Sequence, residues 1–355
     1  MGHHGRLLSL QGQLGARMDN RKITIDDVAN ALKVSKTTVS RAISGKGRVG
    51  AETRDRILKY IEEHNYVPSA MAKGLAQQRT YNIGITVPVD FTLVDLPFFQ
   101  QCLMGVCDYA GSEDYDVLVS LTSIDDISQL ERLVNNRKVD GVVLTRTLTH
   151  DLPAELLLKK KVPFVSIGSS KNPGVIQVDN DHESACWELT TRLIGMGIKR
   201  FALLCDNGAY VVTKSRMQGF LNALEEAGLP ESNGVIFDDT TDENMDMILE
   251  RVLKSDIECI LCMDDSICVK VLDKLKKKNL EVPEDIKVAS FYNSSVLERN
   301  VPSITSLDFD ARELGRVACK TLIQLIAGET VPARSLLGYE ISMKESTKTI
   351  LGKEE

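Results

Sequence analysis

The chain has 355 residues, 43% hydrophobic and 26% charged, proportions that predict two or three globular domains. No run of about 18 apolar residues occurs, which excludes a membrane-spanning helix, and the opening MGHHGRLLSLQGQLGAR lacks the small-residue cleavage pattern of a secretory signal. The net charge of −7 is unevenly divided, since residues 18–79 carry 12 Lys+Arg against 7 Asp+Glu, whereas residues 80–355 carry 29 against 43.

Residues 1–17 are expected to be a disordered extension outside the fold, because the recognisable pattern begins at Met18. Thr24 predicts an N-cap, with Asp26 and Asp27 at the positive end of the helix dipole and Ile25, Val28, Ala29 and Leu32 on one face. After Lys33-Val34, Ser35 predicts the cap of a second helix. Its Val39, Ala42 and Ile43 face inward, and its Lys36, Thr37, Ser40 and Arg41 face outward. Ser44-Gly45-Lys46-Gly47 ends that helix, and a third, from about Ala51 to His64, packs Ile57, Tyr60 and Ile61 underneath. Small polar residues with an arginine suit a recognition helix, whose first turn must reach base edges without bulk. The same pattern alone also suits a polar surface helix of an ordinary three-helix bundle.

Beyond it, Asn65-Tyr66-Val67-Pro68 breaks the helix and Ser69 can cap a short one, Ala70 to Ala76. The whole run ITIDDVANALKVSKTTVSRAISGKGRVGAETRDRILKYIEEHNYVPSAMAKGLA resembles the headpiece and hinge of the lactose/galactose repressor family; Leu32 departs from it, standing where a small residue is usual. The resemblance implies that residues 18–66 form a helix-turn-helix domain and 67–79 a hinge helix and linker. It implies base reading by Lys36, Thr37 and Arg41, and further DNA contacts from Thr24, Ser35, Thr38, Ser40 and Tyr66. Leu75 matches the family's minor-groove wedge, which offsets unstacking with contacts to kinked DNA; the alternative is a leucine of a small core. Gly74 beside it is a poor helix former.

From Tyr81 onward, apolar strand-like runs alternate with amphipathic helical ones. Strands are expected at Asn82–Val87, Asp116–Leu121, Gly141–Thr145, Phe164–Ile167, Arg200–Cys205, Cys259–Met263 and Lys287–Phe291. Helices are expected at Phe99–Ser112, Ile127–Asn135, His182–Gly195, Lys214–Ala227, Met245–Lys254 and Ser266–Lys278. Such alternation predicts parallel sheets covered by helices. Residues 80–350 resemble the family's effector domain, a bilobed α/β fold like that of periplasmic sugar-binding proteins, with residues 351–355 a tail. The landmarks are VDN at 178–180, R-x-x-G-F at 216–220 and VPEDIKVASF at 282–291, and the implied lobe crossings lie near Val178–Asn180, Ser306–Phe309 and Pro332–Leu336.

Within that likeness, Arg216 matches the arginine that grips effector polar groups, Asp264 sits at a strand end where Asn or Asp is common, and Phe98 takes an apolar position on the first lobe. Each has a plainer alternative: a surface ion pair, a helix N-cap and a core residue. Tyr292 replaces the family's usual sugar-binding aspartate with a stacking face, Gly168 and Thr240 replace other common ligand types, and Arg146 is an additional candidate. Cys259-x-x-Cys262 with Cys268 has no second pair or nearby histidine, so no metal is expected, and no cofactor either. No phosphate loop or nucleophile motif supports an enzyme, and a transport-associated binding protein would have no use for the head. Eight cysteines without framework spacing fit a reducing cytoplasm. The resulting expectation is a cytoplasmic, nucleoid-associated homodimer. It binds double-stranded operator DNA, represses, and answers to a small-molecule effector, a sugar or sugar derivative.

Overall fold

The computed structural model describes residues 23–45, 47–64, 66, 79–89, 97–205 and 208–348, and the chain divides into two compact units, residues up to 79 and residues from 80 onward.

In the first unit, helix α1 (Ile25–Leu32) starts from a capping box. The Thr24 N–H donates to Asp27 Oδ2 at 2.8 Å, and the Asp27 N–H donates back to Thr24 Oγ1 at 3.4 Å. Lys33 closes α1 in the left-handed region, φ 52°, so the chain turns within two residues to α2 (Lys36–Ser44). The Thr38 N–H donates to Ser35 Oγ at 3.1 Å, capping α2, and Gly45 ends it at φ 70°. Helix α3 (Ala51–Glu63) completes a core of Val28, Ala29, Val39, Ala42, Ile57 and Tyr66. Leu32, the departure from the family pattern, is half-buried against that core.

The second unit is built on two six-stranded sheets. The first lobe carries β1 (Asn82–Pro88), β2 (Asp116–Thr122), β3 (Gly141–Leu144), β4 (Phe164–Ile167), β5 (Ile176–Asn180) and β11 (Arg334–Leu337), all parallel, in the order β11-β5-β4-β3-β1-β2. Helices α4 (Pro97–Ser112), α5 (Ser128–Asn135), α6 (Leu152–Lys160) and α12 (Ala311–Ile326) cover it. The second lobe carries β6 (Phe201–Leu204), β7 (Gly234–Phe237), β8 (Cys259–Cys262), β9 (Lys287–Ser290), β10 (Thr305–Asp308) and β12 (Glu340–Ser342), in the order β12-β10-β9-β8-β6-β7, with β12 alone antiparallel. Around it lie α7 (His182–Gly195), α8 (Val211–Glu226), α9 (Asp242–Leu253), α10 (Asp265–Lys277) and the short α11 (Ser295–Arg299). Central strands such as GVVL, FALL and CILC are buried along their whole length, which is why they read as unbroken apolar runs.

The architecture is the one expected, an all-α head and a bilobed α/β body, with strand and helix ends shifted by a few residues. The structure adds β5, β7, β10, β11, β12, α6, α11 and α12 to the elements expected from the sequence. The chain passes between lobes after β5, after β10 and between β11 and β12. The third crossing therefore falls at Gly338–Tyr339 and not at Pro332–Leu336. The reason is register: Arg334 through Leu337 pair with Gln177 through Asn180, keeping β11 in the first lobe to its last residue.

Candidate functional site: a DNA-reading face and an interlobe cleft

On α2, Val39 and Ala42 are fully buried and Lys36, Thr37, Ser40 and Arg41 are exposed. Period 3.6 alone produces this division. The Lys36 Nζ lies 2.5 Å from Asp26 Oδ1 of α1, which holds the ammonium at the start of the helix. Gly47, at φ 96°, lies against the stem of Arg41; a Cβ there would come within 3.0 Å of Arg41 Cδ, so glycine leaves the guanidinium its path outward. An exposed guanidinium on a short capped helix can donate two parallel hydrogen bonds to guanine O6 and N7. Thr24 and Ser35 spend their side-chain oxygens on the caps, and the half-buried Thr38 pairs its hydroxyl with Ser35 at 2.8 Å. Tyr66 turns inward: only 8% exposed, it packs in the head's core, and burial pushes its phenol pKa up. Leu75, with the expected hinge helix, lies outside the described residues.

In the body, the parallel pairing of Cys262 with Ser290 aligns the ends of β8 and β9, and two residues further on stand Asp264 and Tyr292. Arg216 comes from α8 and is 7% exposed, which replaces the surface ion pair considered for it. Its Nη1 donates to Met263 O at 2.6 Å and its Nε to His182 Nδ1 at 3.4 Å, and its guanidinium lies 6.0 Å from the Tyr292 ring centroid. Tyr292 stacks on Phe309, with centroids 6.3 Å apart and planes at 11°, and meets Phe98 of the first lobe edge-on at 6.0 Å. Phe98, Arg216 and Tyr292 are thus brought together across the cleft, Phe98 half-buried where α4 begins.

Asp264 caps α10, accepting from the Ile267 N–H at 2.9 Å. Arg146 lies over the Tyr210 ring at 5.6 Å, beside a backbone bridge between lobes in which Leu148 pairs with Tyr210 and the Thr149 N–H donates to Ala209 O at 2.9 Å. Gly168 sits at φ 114°, and a Cβ there would lie 2.7 Å from Thr147 Oγ1, so the backbone itself disfavours a ligand-bearing side chain at that position. Thr240 donates to Cys205 O at 2.7 Å, a structural bond.

Four further residues belong to this neighbourhood. Asp265 is 9% exposed, and its pKa is raised to about 6 by burial and then by the charge of Asp264. It lies within electrostatic reach of Tyr292, whose phenol pKa is raised chiefly by burial. His182, Phe309 and Tyr210 complete the set. The doubled aspartate directly after an apolar strand was a readable signal for Asp265; the others are joined only by contacts distant in sequence. Cys259, Cys262 and Cys268 are fully buried in the second lobe's core, and among the described residues no cluster of histidine, cysteine and carboxylate is arranged to hold a metal. No helix among the described residues is long and apolar enough to cross a membrane.

Residues 24–69 match the family of bacterial regulatory proteins, lacI family, and residues 190–347 match the periplasmic binding protein-like domain. Over 334 residues the chain is 31% identical to the HTH-type transcriptional regulator MalR of Streptococcus pneumoniae, spanning 91% of this chain and 99% of MalR. It is 29% identical over 333 residues to catabolite control protein A of Staphylococcus xylosus, spanning 92% and 99%. A solved complex of the transcriptional regulator CelR with cellobiose is 28% identical, with TM-score 0.67 over 91% of this chain and 99% of that one. The lac repressor dimer bound to operator and the anti-inducer ONPF superposes with TM-score 0.76 over 93% and 100%, at 22% identity, a likeness of fold. The chain belongs to the lacI family of bacterial regulatory proteins and is a DNA-binding transcriptional regulator, not an enzyme.

Proposed function

We propose that this regulator is a cytoplasmic repressor that binds a near-palindromic operator as a homodimer and is controlled by a sugar or sugar derivative in the interlobe cleft. The observation that carries the DNA half is the exposed quartet Lys36, Thr37, Ser40 and Arg41 on a helix fixed by caps at both ends. Thr24, Ser35 and Thr38 present the adjoining turns to the backbone phosphates, and Tyr66 braces the head from inside. Leu75 acts as the minor-groove wedge. One recognition helix reads too few bases alone, which calls for two copies. A second copy has a surface to meet: the exposed Val269 and Val296 line a hollow of about 190 Å³ with Leu272, Leu297 and Asn300, and the 93%-exposed Val301 follows Asn300 in the chain.

The effector half rests on Arg216 beside the face of Tyr292. A guanidinium suits paired hydroxyls or a carboxylate, and an aromatic face suits the apolar side of a pyranose ring. Phe98 and Arg146 close the cleft from the first lobe, while Asp264 holds the α10 terminus that the ligand meets. Binding of cellobiose by CelR supports a carbohydrate. A thermal-shift screen of the full chain with maltose, cellobiose, sugar phosphates and nucleobases tests this, since a ligand of the folded state raises the unfolding midpoint. A carbohydrate is expected to raise it in the wild type and not in Arg216→Ala; stabilisation by a nucleobase alone overturns the ligand class.

A further inference from the structure

The surroundings of Arg216 lead out of the cleft to all three crossings between the lobes. His182, which accepts from Arg216 Nε, follows the first crossing directly and is 6% exposed. Its Nε2 lies 3.5 Å from Asp179 Oδ1 on β5. Its ring meets Phe309 edge-on at 4.8 Å, and Phe309 is the first residue beyond β10, on the second crossing. Phe309 in turn lies 6.4 Å from Tyr339 on the third crossing, while its other neighbour is Tyr292 of the cleft.

The hydrogen-bond chemistry allows this histidine one arrangement. A guanidinium only donates, so Nδ1 accepts and the ring proton sits on Nε2, facing the Asp179 carboxylate. The imidazole is therefore oriented by Arg216 on one side and by the crossing strand on the other. Next to Asp179, the carboxamide of Asn180 is buried with neither its nitrogen nor its oxygen hydrogen-bonded among the described residues. Asp179, Asn180 and His182 together line a hollow of about 430 Å³ at the first crossing.

We propose that His182 is the positioning residue that couples effector binding to lobe orientation, by passing displacement of the Arg216 guanidinium to Asp179, Phe309 and Tyr339 at the three crossings. This rests on Arg216 being an effector ligand. Ligand that pulls the guanidinium towards the cleft removes the donor that orients the imidazole, and the ring then no longer fixes Asp179 against Phe309.

The test needs no ligand, so its failure overturns the coupling role alone; failure of the effector reading is seen separately, as an Arg216→Ala chain that still responds to ligand. Spin labels go on the full-length chain at Lys160→Cys in the first lobe and Lys254→Cys in the second, both exposed positions, after the exposed native thiol is removed by Cys107→Ser. Labelled chain is diluted into unlabelled chain and the interlobe distance distribution is measured. His182→Phe, which keeps a ring against Phe309, and Arg216→Ala are each expected to shift and broaden the distribution, with no further change in the double variant. His182→Gln, which can accept from Arg216 and donate to Asp179, is expected to restore the wild-type distribution. An unchanged distribution in His182→Phe, an additive double variant, or His182→Gln behaving like His182→Phe overturns the proposal. Should His182→Phe fail to fold, histidine nitrogen NMR of the wild-type chain decides. An acceptor-type Nδ1 that loses its single tautomer in Arg216→Ala is expected, and a protonated Nδ1 overturns it.

Discussion

Arg41 and Arg216 are the same residue type put to different uses by their surroundings. Arg41 is exposed, with its stem guided past Gly47; Arg216 is buried, with two of its donors spent on Met263 O and His182. Arg41→Ala should cost about 1–3 kcal/mol of operator affinity and relax base preference at one position of each half-site. Selection of random duplexes by the variant checks it, and equal weakening on all sequences would mean that Arg41 touches phosphate. For His182, burial and then the charge of Arg216 hold the pKa well below its ordinary value. The unfolded chain takes up a proton near pH 6.5 that the folded chain refuses, so the stability His182 contributes is complete above that pH and is lost as pH falls, by up to about 1.4 kcal/mol per pH unit. His182→Gln has no such proton to refuse. Its unfolding midpoint should therefore gain on the wild type between pH 7 and pH 5; parallel curves contradict the linkage.

Among the elements, α1 shows most directly how local sequence fixes local structure. Thr24→Ala removes the acceptor for the Asp27 N–H and one partner of the Asp27 carboxylate, and should weaken α1 by about 1 kcal/mol. Faster exchange of the α1 amides in the full chain would report it, and unchanged protection would show that Asp27 alone sustains the cap. Helices with caps and an apolar face, and strands buried on both sides, were legible in the sequence because neighbours in the chain carry their signals. β5 and β10 were not, for a reason tied to function. Gln177, Asp179 and Asn180 in the one, and Thr305, Ser306 and Asp308 in the other, are polar because these strands lead into the lobe crossings. β11 and β12 are short strands at sheet edges with no apolar run to find. Helix α12 carries a legible pattern as well, since Leu314, Ala318 and Leu322 recur on one face after the Asp310 cap. Of the cleft residues, Arg216, Tyr292 and Phe98 could be placed through the family resemblance. His182 and Phe309 could not, since their partners lie far along the chain.

At the scale of the whole molecule, two copies are expected to bind one operator. Val296→Asp and Val301→Asp place charges on the exposed apolar rim of the second lobe, and each should shift the chain from dimer to monomer in sedimentation and weaken operator binding in step. A wild-type chain that sediments as a monomer, or charged variants that remain dimeric, would move the interface elsewhere. Operator affinity itself should fall steeply with salt as phosphate counterions are released.

Control of the head by the cleft can be exerted only through a difference in effector affinity between two lobe arrangements. The direct measurement is operator affinity of the full chain, with and without the stabilising carbohydrate from the thermal-shift screen, for the wild type and for Arg216→Ala. The carbohydrate is expected to change wild-type affinity by at least about fivefold, the lower end of ordinary allosteric coupling, and to leave Arg216→Ala unmoved. An Arg216→Ala chain that still responds at the concentrations that work on the wild type would contradict control by this cleft.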